Sequence, residues 1–195
     1  MRTPGVLLAT LAVLALAAGA AATTGAVRAR VAPSKALAGE RITVSARVVP
    51  PGARCTATVA GPGATRARLP GKRATKGTVS WPWTLPANAE SGLGTAAVTC
   101  AKAGSSEARF AVRALPAGDP VAGKTVFVLN CGGCHTLADA GTTGTSVDLD
   151  EKKPAYETAV DRVVNGKGLM PSFKTRLTPQ QIADVATYVP TVAGK

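Results

Sequence analysis

Cys131-Gly132-Gly133-Cys134-His135 is the stretch around which the rest of the chain is organised. It holds two thiols three positions apart, and the only histidine of the chain follows the second directly. That order reads as a c-type haem attachment motif. Both thiols can add to the vinyl groups of one macrocycle, and the adjacent imidazole stands where an axial nitrogen is needed. A thiol-redox motif shares the two cysteines, but the histidine and the helical pattern around it argue against that reading.

With one histidine, ligation by two histidines within the chain is excluded. Of the two methionines, Met1 belongs to the leader described below, which leaves Met170 as the thioether available for the second axial position. It lies in Gly168-Leu169-Met170-Pro171-Ser172-Phe173, where Pro171 stiffens the backbone beside it. The competing role is a gap-filling core methionine, which would leave the iron open to water or a lysine. With both axial positions filled, an iron centre moves single electrons and does not readily bind substrate. The expectation is therefore one covalent haem c with its iron held by His135 and Met170, in a carrier and not an enzyme.

Residues 1–26 read as a signal peptide. Arg2 is the charged start, residues 6–18 are an Ala/Leu/Val run, and small residues follow. Cleavage gives an extracytoplasmic protein, secreted or held in the cell envelope; a retained leader would anchor it to a membrane. Export fits the remaining cysteines. Once the haem takes Cys131 and Cys134, Cys55 and Cys100 are left as an even pair, expected as a disulfide. That crosslink contributes about 3–4 kcal/mol in the chain-entropy model.

The formal charge of +12 is unevenly spread. Residues 28–113 carry fourteen Lys and Arg against three acidic residues, whereas residues 118–195 carry eight of each. This asymmetry separates two domains, and the basic one is suited to an anionic surface or an acidic protein. Aromatic residues make up only 4% of the chain, too few for base stacking, so nucleic acid is set aside as a partner.

Residues 27–114 read as β. Residues 41–49 alternate, with Ile42, Val44, Ala46 and Val48 on one face and Arg41, Thr43, Ser45 and Arg47 on the other. Further short strands are predicted at residues 55–59, 78–85, 94–100 and 108–113, separated by Pro/Gly turns. Pro82 places its strand at an edge. Short strands with regular turns suggest a sandwich. The order Trp81-Pro82-Trp83, Pro86-Ala87-Asn88-Ala89-Glu90-Ser91-Gly92 and Val98-Thr99-Cys100 resembles bacterial immunoglobulin-like modules, although the tryptophans lie farther from the first cysteine than in antibody domains. Trp81 and Trp83 are expected to pack in the core or at an edge; the other role open to them is a sugar- or partner-binding surface.

Residues 115–118 form a short linker to an all-α domain over residues 119–195. Asp119 can cap a helix with Pro120 first, and residues 121–130 continue it. Residues 136–153 read as loop and residues 154–165 as helix. Thr178, Pro179 and Gln181 are a capped helix start, and the helix is predicted to stop before Pro190.

In order, Gly123-x-x-x-Phe127, the Cys131-to-His135 motif, Met170-Pro171-x-Phe173 and Ile182-Ala-Asp-Val-Ala-x-Tyr188 resemble the class I monohaem cytochrome c family. The resemblance implies that family's all-α fold, electron transfer with redox partner proteins, and packing of Gly123 and Phe127 against the Tyr188 region. An alternative within the same chemistry is a haem subunit of an extracytoplasmic dehydrogenase or oxidase complex; a haem enzyme or gas sensor with an open iron site is a third. The family commonly carries a Gly-Pro-x-Leu stretch whose proline carbonyl accepts from the second ring nitrogen of the ligating histidine. Here Thr145-Ser146-Val147-Asp148-Leu149 stands in its place without a proline. A backbone carbonyl near residues 146–148 is the candidate substitute.

Overall fold

The structure is a computed structural model that describes residues 25–195. The leader expected at residues 1–26 lies almost wholly outside the described residues. Among the described residues, no helix is long and apolar enough to cross a membrane.

The first half is a two-sheet β-sandwich. Strands β1 (Ala26–Ala32), β3 (Arg41–Val49) and β6 (Thr78–Thr84) form one antiparallel sheet in the order β1-β3-β6. Strands β2 (Lys35–Leu37), β4 (Arg54–Ala60), β5 (Arg66–Arg73), β7 (Gly92–Cys100) and β8 (Gly104–Arg113) form the other, in the order β2-β8-β7-β4-β5, with β2 parallel to β8. The period-two pattern of β3 holds: Ile42, Val44, Ala46 and Val48 are buried between the sheets. They meet Cys55, Ala57 and Val59 of β4 and Ala96, Val98 and Cys100 of β7 in one core. Trp81 lies in that core and donates its indole N–H to the carbonyl of Pro70 at 2.7 Å, so its one polar atom is satisfied. Trp83 is half-buried beside it. β6 is an edge strand, where Pro82 costs no ladder bond inside a sheet.

Cys55 and Cys100 form a disulfide. They face each other across adjacent antiparallel strands, β4 and β7, of one sheet. This differs from the antibody arrangement, in which the bridge joins the two sheets.

The second half is helical: α1 (Pro120–Asn130), α2 (Leu149–Lys152), α3 (Tyr156–Asn165) and α4 (Pro179–Val192). Asp119 caps α1 by accepting from Val121 N at 2.8 Å. The Thr178–Gln181 capping box starts α4, with both reciprocal bonds formed. α4 does not stop before Pro190 but runs on to Val192. A proline in the last turn forfeits one backbone bond there, and the burial of Val189 and Ala193 holds the turn. The segment expected as loop contains α2, a single turn capped by Asp148.

α1 crosses α4 at Gly123. A side chain there would overlap the backbone of Asp184 and the Cβ of Tyr188. One turn on, Phe127 meets Tyr188 edge to face, with ring centroids 5.9 Å apart. Buried Asp184 accepts from Asp119 N and from Gln180 Nε2, both at 2.8 Å, which ties the start of α1 to α4.

Candidate functional site

The C-terminus of α1 delivers the motif. Cys131 N donates to the Phe127 carbonyl at 2.8 Å, closing the last turn. The chain then reverses: Cys134 N and His135 N both bond the Cys131 carbonyl, at 3.0 and 2.9 Å. Cys131 is buried against the helical core, and Cys134 is exposed. Neither is in a disulfide. Burial, with a smaller contribution from Cys134, pushes the Cys131 thiol up to about 11. Thiol-redox chemistry needs a thiolate at neutral pH, so this environment counts against that reading.

His135 points its Nδ1 at the carbonyl of Val147, 2.9 Å away. A carbonyl oxygen only accepts, so Nδ1 carries the proton, and in the neutral imidazole Nε2 keeps its lone pair. Nε2 has no hydrogen-bond partner among the described residues. The carbonyl sits within the stretch that lacks the family's proline, and any residue at 147 could supply it.

Residues 141–149 wrap the motif. Ser146 N donates to the Cys134 carbonyl at 2.8 Å, Thr142 Oγ1 to the His135 carbonyl at 2.9 Å, and Leu149 N to the Thr136 carbonyl at 3.0 Å. Gly144 lies so close to the Cys134–His135 peptide that any side chain would overlap it. The Val147 carbonyl falls within the residues 146–148 expected to supply the histidine's acceptor, whereas Thr142 and Gly144 are parts of the site that sequence reasoning passed over. They fall in a polar Gly/Thr run whose composition says loop and nothing more.

Met170 is half-buried against the same helical core as Cys131. Its loop is a tight reversal, with Lys167 N to Met170 O and Met170 N to Lys167 O both at 3.0 Å. The loop is sewn to α3 by Phe173 N on the Val163 carbonyl at 2.8 Å and by the Ser172 hydroxyl on the Val164 carbonyl.

The donor set fits haem c. Two unpaired thiols, an imidazole with a free Nε2 and a thioether lie on one helical framework. Exposed apolar side chains adjoin these donors in the chain: Val128 and Leu129 before Cys131, Val147 beside the histidine's acceptor, and Leu169 next to Met170. Such surface suits an apolar macrocycle. A structural zinc site is not suggested, since among the described residues no three His, Cys, Asp or Glu side chains converge.

The turn after the motif is anchored by two carboxylates. Asp139 accepts from the Tyr188 hydroxyl at 2.6 Å and pairs with Lys124 at 3.2 Å, and these bonds hold its carboxyl below the usual range. Asp150 accepts from Gly194 N at 2.8 Å and from Ala138 N at 2.7 Å, which lowers it likewise.

The family described as "Cytochrome C oxidase, cbb3-type, subunit III" matches residues 118–189. The chain is 45% identical over 78 residues to a cytochrome c6 of Gloeothece citriformis, covering 37% of this chain and 71% of that one. It is 38% identical over 87 residues to the cytochrome c6 of Limnospira maxima, covering 40% and 98%. Among solved structures, the c-type cytochrome SorU of Sinorhizobium meliloti is 43% identical, covering 39% of this chain and 92% of that one, with a TM-score of 0.37.

Proposed function

Because the chain belongs to the cytochrome c family, we propose that it is an exported one-electron carrier with a single haem c, attached through Cys131 and Cys134 and ligated by His135 and Met170. When bound, the haem supplies a one-electron iron couple, and a methionine ligand raises its potential relative to bis-histidine ligation. The protein's part is placement. The α1 C-terminus presents both thiols, Val147 O orients the imidazole and sets its tautomer, and the loop sewn to α3 presents the thioether. The observation that carries this reading is the Nδ1–H bond from His135 to Val147, because it turns the only histidine into a fixed Nε2 donor. A visible and near-infrared spectrum with intact mass tests it. The oxidised protein should show the methionine–iron charge-transfer band, with a mass increment of one haem and a loss matching the leader. A spectrum without that band would remove Met170 from the site.

The sandwich supplies a docking face in this reading. The outer side of the β1-β3-β6 sheet exposes Arg28, Arg30 and Arg47, and Lys72 and Arg73 join them around an open cleft of about 1030 Å³ with no acidic residue in its lining. Arg28 and Arg47 stand directly opposite across the strand pair, an arrangement that costs stability in isolation. This face suits an anionic surface or an acidic redox partner. The name of the matched family favours a second reading, a haem subunit of an oxidase complex. Purification as a stable complex, and not as a free monomer, would select it.

A further inference from the structure

The turn between β2 and β3, residues 38–40, is buried against the helical domain. Asn165, the last residue of α3, grips it with both ends of its amide: Oδ1 accepts from Arg41 N at 2.8 Å, and Nδ2 donates to the Gly39 carbonyl at 2.7 Å. Gly39, at φ +79°, lies over Val160, where a side chain would overlap the valine. Glu40 is 5% exposed. One of its oxygens accepts from Leu37 N at 2.9 Å, and the other pairs with Lys174. A carboxylate buried to that degree is costly unless it is paired, and its cation comes from the other domain.

These contacts bracket one short segment. Asn165 stands just before the Met170 loop, and Lys174 stands just after Phe173, which is itself bonded to α3. Between the two brackets the loop is closed by its own Lys167–Met170 pair. The sandwich therefore holds both ends of the loop that presents the thioether.

We infer that residues 39–41 are a clamp supplied by the sandwich, with Glu40 as a positioning residue that acts through Lys174 to keep the Met170 loop closed. The inference rests on the reading of Met170 as an axial ligand. It gives the sandwich a role in the redox site that does not depend on any partner. The closed and open loop are two states, and the clamp stabilises the closed one. An added ligand that needs the open state binds with an apparent affinity set by the open fraction.

The test is titration of the oxidised full-length holoprotein with imidazole, following the methionine–iron band. The Met170 sulfur–iron bond breaks, an imidazole nitrogen–iron bond forms, and the oxidation state does not change. Glu40→Gln keeps an acceptor for Leu37 N but loses the charge. Lys174→Leu alters only the partly exposed end of the pair and adds no second thioether. Each should bind imidazole about tenfold more tightly than wild type. Lys174→Arg, which restores the pair, should return to the wild-type value, and Glu107→Gln on exposed β8 should match wild type. If the wild type shows the band and both Glu40→Gln and Lys174→Leu bind imidazole as it does, the clamp is overturned while the ligand reading stands. A wild type without the band overturns the ligand reading and the clamp together.

Discussion

The Tyr188 hydroxyl donates to Asp139 at 2.6 Å, joining the last helix to the turn that follows the haem motif. The same tyrosine packs its ring on Phe127 of the first helix. One residue thus connects both ends of the helical domain to the segment after His135.

That contact predicts acid sensitivity. Asp139 and Asp150 are both held below the ordinary carboxylate value in the fold. Groups lowered in this way stabilise the folded state fully above the unfolded value, about 4, and that stabilisation is lost as pH falls through the lowered folded value. The melting temperature should therefore drop below about pH 4. Tyr188→Phe and Asp150→Asn should each make the drop shallower. Melting curves at pH 2.5–6 read this directly, and identical slopes in all three proteins would count against it.

Gly144→Ala should damage the site without touching a ligand. The new methyl group has to displace the Cys134–His135 peptide. The expected cost is roughly 1–3 kcal/mol of stability. Haem absorbance per mole of protein should fall as well, because the reversal that presents Cys134 and His135 is disturbed. Unaltered haem content and melting would show that the wrapping loop yields.

Replacing Cys55 and Cys100 together by serine should weaken the sandwich by about 4 kcal/mol in the chain-entropy model, given the 45-residue separation. Both tryptophans of the chain lie in the sandwich, so urea unfolding followed by their fluorescence reports this half of the molecule. A midpoint equal to that of wild type would refute the assigned contribution.

Arg47→Gln separates stability from docking. Relieving the like-charge pairing with Arg28 should stabilise the sandwich by about 0.2–1 kcal/mol. The same change should weaken association with an anionic partner and flatten its dependence on salt. A variant that gains stability but keeps its salt dependence would remove this face from docking.

The helical domain was largely legible because its signals are local. Asp119, Pro120, Thr178 and Gln181 act on backbone within three residues, and Gly123, Phe127 and Tyr188 mark one helix crossing. Strands with clean alternation, such as β3, were legible for the same reason. β1 was hidden because its alternating residues follow directly on the apolar leader. β5 was hidden because Pro70-Gly71 reads as a turn. The strand instead passes through them on the outer edge of its sheet, opposite a register shift between Cys55 and Ala57. The short linker at residues 115–118 says that the two halves stay close, but the residues that join them had no sequence signal. Glu40 and Lys174 are 134 positions apart, and only folding brings them together.

Val147 shows how a site can depend on a residue without depending on its side chain. The acceptor for His135 is a main-chain oxygen, so no substitution at position 147 deletes it, and an alanine scan would pass over it without a trace. The path of residues 141–149 is what has to be preserved, and Gly144, Thr142 and the turn at Asp148 preserve it. A side chain of any kind at position 147 is therefore compatible with the bond, provided that path is kept.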